Sequence, residues 1–182
     1  MRTQIIAFFA AAFMFLGATG AHAAPTNAAP FGMEVGVATL KQVKEEIGAT
    51  SGLVEVGINK FTEGPMYKTD GAGIDVEGVN SVLFIFDTKQ VLAGVIVEMP
   101  KDPSGVYKTL SSKYKVISNK IDKFMNNGYA QLRKGGSIIE ISAPHMSFSM
   151  EVRYVTDALM KSFNQTTQTE KAETQRKKAN AL

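Results

Sequence analysis

Residues 81–99 (SVLFIFDTKQVLAGVIVEM) constrain this chain more than any other stretch. Two apolar runs, 82–86 and 91–97, flank the polar break Asp87-Thr88-Lys89-Gln90. Runs this short, rich in Val, Ile and Phe, predict two strands, and the break predicts the hairpin loop between them. Alternation sets Val82, Phe84 and Phe86 on one face and Leu83 and Ile85 on the other. A strand apolar on both faces belongs inside a sheet or beneath a helix, because elsewhere one of those faces would meet water. The hairpin is therefore expected to be the core around which the other segments arrange themselves.

The chain opens on a targeting pattern. Arg2 precedes a 12-residue apolar run at 5–16 (IIAFFAAAFMFL), and Ala21-His22-Ala23 supplies a small-x-small cleavage site. That run is shorter than the ~20 residues needed to span a bilayer, so residues 1–23 read as a secretory signal peptide. Cleavage after Ala23 leaves 159 of the 182 residues, and no Cys follows to take a lipid. The expected product is exported and soluble in the periplasm. Zero Cys also removes disulfides, thiol catalysis and thiolate metal sites, so stability has to come from burial. With Arg2 gone, 19 basic residues face 17 acidic ones. The tail at 164–182 holds four of the basic and two of the acidic residues, which leaves 15 against 15 elsewhere. A neutral folded part speaks against nucleic acid as a partner.

Along the rest of the chain, 24–30 (APTNAAP) reads as a mobile linker. Thr39 and Gln42 have capping-box spacing, Leu40, Val43 and Ile47 form one stripe, and Gly48 suits a helix stop. Strands are expected at 54–58, at Ile74 and Val76, and through the central hairpin, with 62–73 (TEGPMYKTDGAG) as a long turn-rich loop. Asp102 and Pro103 then begin a second helix carrying Val106, Tyr107, Leu110 and Tyr114. The stretch 116–127 fits helix or strand. Strands are expected at 129–133, 137–142 and 147–154, the last with Phe148, Met150, Val152 and Tyr154 inward and Ser149, Glu151 and Arg153 outward. Leu159, Met160 and Phe163 mark a final helix, and the polar tail either extends it or is disordered. The fold class is thus α+β: an antiparallel sheet packed by short helices over 31–163, in two helix-then-strands halves at about 31–99 and 101–163.

Two of these stretches resemble a known group. The glycine, short capped helix, glycine order of 36–48 (GVATLKQVKEEIG) is similar to the opening of the small outer-membrane-assembly lipoproteins. Val82-Leu83-Phe84-Ile85-Phe86-Asp87 followed by Val91-Leu92 resembles their later strand, acidic turn, strand element. The same unit occurs in tandem in the secreted beta-lactamase-inhibitor proteins, whose two-half order this chain also resembles. The likeness covers roughly 31–99. Against it, there is no lipidation Cys, and the proline that often follows such a helix is absent after Gly48. What the resemblance implies is a periplasmic binding module without chemistry of its own.

No catalytic constellation emerges. His145 is the one His outside the signal sequence and sits between Pro144 and Met146, a turn setting with no identifiable nucleophile or orienting acid. One His and no Cys is an improbable zinc set. His145, Met146 and Met150 suggest copper, but residues four apart on a strand lie about 13 Å apart. Asp70, Asp75 and Glu77 read as a solvated strand face, and Gly71-Ala72-Gly73 has no phosphate-loop context. The expectation is a protein that is not an enzyme and carries no cofactor or metal, binding another envelope protein through its sheet face or loops. The alternative is a carrier holding a small apolar ligand or lipid between sheet and helices. Met66, Tyr67 and Lys68, after Gly64-Pro65, are the candidate binding residues, an apolar-aromatic-basic set on a restricted turn. Lys171, Arg176, Lys177 and Lys178 are the candidates for contact with anionic lipid, diluted by Glu170 and Glu173.

Overall fold

The computed structural model describes residues 25–180, Asp75 and Glu77 excepted. The targeting pattern at 1–23 lies outside the described residues. One antiparallel sheet of eight strands runs through the molecule, in the order β1-β2-β3-β4-β8-β7-β6-β5. Each half is a helix followed by a four-strand meander. The first is α1 (Leu40–Glu46), β1 (Val54–Ile58), β2 (Glu63–Thr69), β3 (Ser81–Asp87) and β4 (Leu92–Pro100). The second is α2 (Pro103–Ser111), β5 (Lys115–Asp122), β6 (Asn127–Lys134), β7 (Ser137–Ala143) and β8 (Ser149–Thr156). The halves meet through their last strands, with Val95 opposite Tyr154 and Val97 opposite Val152. A third helix, α3 (Asp157–Asn180), follows β8.

Local sequence explains the helix starts. Thr39 Oγ1 accepts from Gln42 N, and Gln42 Oε1 accepts from Thr39 N at 2.8 Å, a reciprocal cap on α1. Asp102 Oδ1 accepts from Gly105 N at 3.0 Å, and Pro103 occupies the first helical position of α2. Both helices pack on one face of the sheet. There Val82, Phe84 and Phe86 are fully buried together with Val43, Leu92, Val95, Leu132, Ile139 and Ile141. Ile85 points the other way and is buried with Ala93, Val155 and Leu159 under the first turns of α3. Both faces of β3 are therefore covered, which is what its two-sided apolar pattern demands. Of the stretch 116–127, residues up to Asp122 are strand β5, 123–126 form the turn and Asn127 begins β6; Ile121 packs against the helix-side core.

Four expectations need correction. Residues 62–73 are not a loop: 63–69 form β2, between β1 and β3. Gly64 and Pro65 fall where the register of β2 slips against β3, between Glu63 and Met66, so the missing N–H of Pro65 coincides with an irregularity. A Cβ at Gly64 would stand 2.2 Å from Phe86 O, so only glycine admits that approach. Ile74 and Val76 form no strand; Ile74 packs on the core from an irregular segment. Phe148 precedes β8 and is exposed rather than inward.

The segment after Pro25 is pinned rather than mobile. Ala28 is fully buried and its N–H donates to Ser137 Oγ at 2.8 Å. Asn27 Nδ2 donates to Val35 O, and its Oδ1 accepts from Gly136 N. The Glu34 carboxylate accepts from Asn27 N and Thr26 Oγ1, and the Asn27 amide above all holds its pKa below the usual carboxylate value. Its sequence has turn composition, but Asn27 stitches the two halves together.

Replacing Phe84 with Ala is expected to cost roughly 3–5 kcal/mol, the range for emptying a buried aromatic site. Equilibrium urea unfolding checks this, and a midpoint within error of the parent would show that the hairpin is not core.

Candidate functional site

The three residues expected to bind do not share a surface. Alternation along β2 turns Tyr67 onto the helix side, where it is buried. Its hydroxyl donates to Glu55 Oε2 at 2.7 Å and accepts from Lys44 Nζ at 3.1 Å, while the Lys44 ammonium lies 4.5 Å from the ring centre. Phe86 meets the ring edge-on at 6.1 Å. Met66 and Lys68 face the opposite side: Met66 packs against the Ile85 cluster, and Lys68 is exposed. The aromatic member is thus a structural part of the core.

The opposite side of the sheet is where polar residues gather. Helices α1 and α2 leave it bare, and α3 crosses only one end of it, through Leu159, Met160 and Phe163. Ladder register builds two adjoining rows there. One runs Leu83, Ile96, Arg153, Glu140, Gln131, Ser118, and the next Ser81, Glu98, Glu151, Ser142, Tyr129, Lys120. The side chains at the centre are half-buried and held by one another. Tyr129 donates to Glu140 Oε1 at 2.5 Å, and Gln131 Nε2 reaches both Tyr129 Oη and Glu140 Oε1 at 3.3 Å. Arg153 donates from Nε and Nη2 to Glu151 Oε2 at 2.9 and 2.5 Å. Glu98 stands directly opposite Glu151, and among the described residues the Ser81 hydroxyl, at 3.3 Å, is the donor to its carboxylate. Like charges placed face to face across strands destabilise a sheet.

Three carboxylates, Glu98, Glu140 and Glu151, share this face with three cations: Arg153 pairs with Glu151 and stands opposite Glu140, Lys120 lies on the edge strand, and Lys68, opposite Leu83, lines one concavity with Glu98. Burial pushes the Tyr129 hydroxyl well above the ordinary tyrosine value, and its hydrogen bond to Glu140 adds to the shift. These groups can accept hydrogen bonds and attract a cation-bearing surface. They offer no nucleophile with an adjacent base: His145 lies in the β7–β8 loop, its Nδ1 2.9 Å from Asn127 Nδ2. Among the described residues no three His, Asp or Glu side chains are placed to hold a metal ion. Met150 is buried on the helix side, away from His145 and Met146, and Asp75 and Glu77 lie outside the described residues.

A second concavity lies on the helix side, beside α2 at the seam of the two halves. This cleft of about 500 Å³ is mainly apolar, with Phe31, Val79, Met99, Val106, Tyr114 and Tyr154 in its walls. Tyr114 and Tyr154 meet edge-on at 6.5 Å, and burial raises both hydroxyl pKa values.

No protein-family model, curated protein or solved structure matches this chain. The polar rows have no signature in the sequence, although the outward setting of Glu151 and Arg153 on β8 is legible from alternation. What brings them beside Glu98 and Glu140 is the pairing of β8 with both β4 and β7, and no residue pattern within a single strand encodes that.

Tyr129 gives a direct check on this network. Tyr129→Phe should remove, from the tyrosinate absorbance titration, a step lying above the ordinary tyrosine value of about 10. The sign follows from a folded pKa above the unfolded one: the stabilisation is complete below about pH 10 and is lost as pH rises through the folded pKa. Loss of a step at about pH 10 instead would mean that the hydroxyl is free.

Proposed function

We propose that the protein is a non-enzymatic, exported envelope protein that binds another protein through the helix-free face of its sheet. The observation that carries this reading is the arrangement of Tyr129, Gln131, Glu140, Glu151 and Arg153, half-exposed yet already fixed by mutual hydrogen bonds. Side chains ordered before contact lose little entropy on binding, and Tyr and Arg are the residue types that dominate interface energetics. Glu98 supplies the polarity of the partner. Its carboxylate stands opposite Glu151 and has no ion-pair partner within 4 Å among the described residues, so a Lys or Arg from outside would find an acceptor there. Export and a periplasmic location rest on the pattern at 1–23. The resemblance of 36–48 and 82–92 to the outer-membrane-assembly lipoproteins concerns the fold and implies a binding module without chemistry of its own, not their assembly role.

A second reading, a carrier of a small apolar ligand or lipid, is favoured by the seam cleft. Its size suits a small molecule, and its walls are mainly apolar. It opens widely to solvent beside α2, so a bound molecule would stay partly hydrated, and the sheet face is the better supported site.

Glu98→Gln separates function from structure. Removing one of two facing carboxylates should leave the unfolding midpoint unchanged or raise stability by a few tenths of a kcal/mol. Capture of the partner from a periplasmic extract should weaken by about 1 kcal/mol or more. Mass spectrometry of the eluate for proteins and for small molecules distinguishes the two readings. Undiminished protein capture by the folded variant would remove this face from consideration, and a stoichiometric apolar molecule with no protein would favour the carrier.

A further inference from the structure

The end of the sheet where β5 turns into β6 and β7 into β8 carries four exposed apolar side chains. Phe148 is 98% exposed, Phe124 96%, Met146 90% and Met125 51%. Antiparallel pairing of β6 with β7, Gly128 opposite Ala143, sets the two turns side by side. They are also fastened together. Asn127 Nδ2 lies 2.9 Å from His145 Nδ1, and Lys101 binds both turns: its Nζ donates to Pro144 O at 2.7 Å, its N–H donates to Phe148 O, and its carbonyl accepts from Asn126 Nδ2 at 3.4 Å. Asp122 Oδ1 accepts from the N–H groups of Phe124 and Met125, fixing the first turn from within. The backbone is therefore held while the apolar side chains project.

Met146 at the second tip has a φ of +60°, in the left-handed region where glycine or asparagine is cheaper, and its side chain projects into water without adding to the core.

We propose that this end of the sheet inserts into a lipid surface. A protein partner of ordinary kind needs a broad patch of 20–30 residues with a rim that excludes water, and two turn tips do not supply one. A bilayer interface has no shape to match and accepts Phe and Met to a depth of ~5–10 Å. Charge agrees with a lipid surface of no particular sign. Lys101 and Lys123 at this end are balanced by Asp102 and Asp122, so apolar insertion drives the contact rather than attraction to anionic headgroups. The contact rests on other residues than the reading given for the helix-free face, although the β7–β8 turn adjoins that face: Pro144 and Ser147 line one concavity with Glu98, Glu151 and Arg153. It also differs from contact through the basic tail, because α3 starts from the opposite end of β8.

The test is co-sedimentation of the mature protein with phosphatidylcholine vesicles, at low and at high salt. The parent should bind weakly and reversibly, with little change on adding salt. Phe124→Ser with Phe148→Ser should lower the partition coefficient at least about tenfold, with the unfolding midpoint unchanged because both rings are already in water. A Phe148→Trp variant should show quenching by lipids brominated in the acyl chain. Absence of parent binding, or equal binding by the folded double variant, would overturn the proposal. So would binding seen only with anionic vesicles and abolished by salt, or capture of a protein through Phe148 with no vesicle binding.

Discussion

Everything in this molecule depends on the pairing of β4 with β8. Two meanders, each too thin to bury its own apolar strands, are joined there from Gly94 opposite Val155 to Pro100 opposite Ser149. The join turns two four-stranded sheets into one and creates the continuous helix-side layer in which Phe84, Val95, Val152 and Ile141 pack. With no cysteine to cross-link the chain, that layer carries the stability that an exported protein often shares with disulfides. It also fixes the other face. Register across β4, β8, β7 and β6 aligns Glu98 with Glu151 and Arg153 with Glu140, so the polar rows follow from the same pairing that makes the core.

Much of the fold was legible because local signals agreed. The capping box at Thr39, the Asp102-Pro103 start and the two-sided apolar pattern of β3 each have one sensible structural reading, and each is realised. The failures have physical causes. Gly64-Pro65 looks like a turn but sits in a bulge of β2, where close approach to Phe86 demands the glycine and the irregular register tolerates the proline. The alternation of Phe148 with Met150 is real as a pattern, but β8 begins only at Ser149 and leaves the ring outside. Turn composition around Tyr67 suggests a displayed aromatic, but as a strand residue it has an inward side, and Lys44 and Glu55 satisfy its hydroxyl.

The candidate surfaces were harder to read because both arise from long-range assembly. Glu98 and Glu151 are 53 positions apart in a chain where neither is unusual, and they matter only once β4 and β8 lie side by side. The turn tips at 124 and 148 likewise meet through the β6–β7 ladder. The two surfaces differ in kind: one is polar and preorganised, the other apolar and projecting. A sheet face with a facing pair of carboxylates and an end with a methionine in a left-handed turn both depart from what stability alone would select.

Photo-crosslinking in intact cells tests the central claim most directly. A crosslinking amino acid is placed at Gln131, on the helix-free face, and in a second strain at Thr109, beside the seam cleft. A discrete protein adduct from position 131 and none from 109 is the expected result. Adducts from 109 alone, with position 131 silent in a correctly folded protein, would contradict binding through the sheet face.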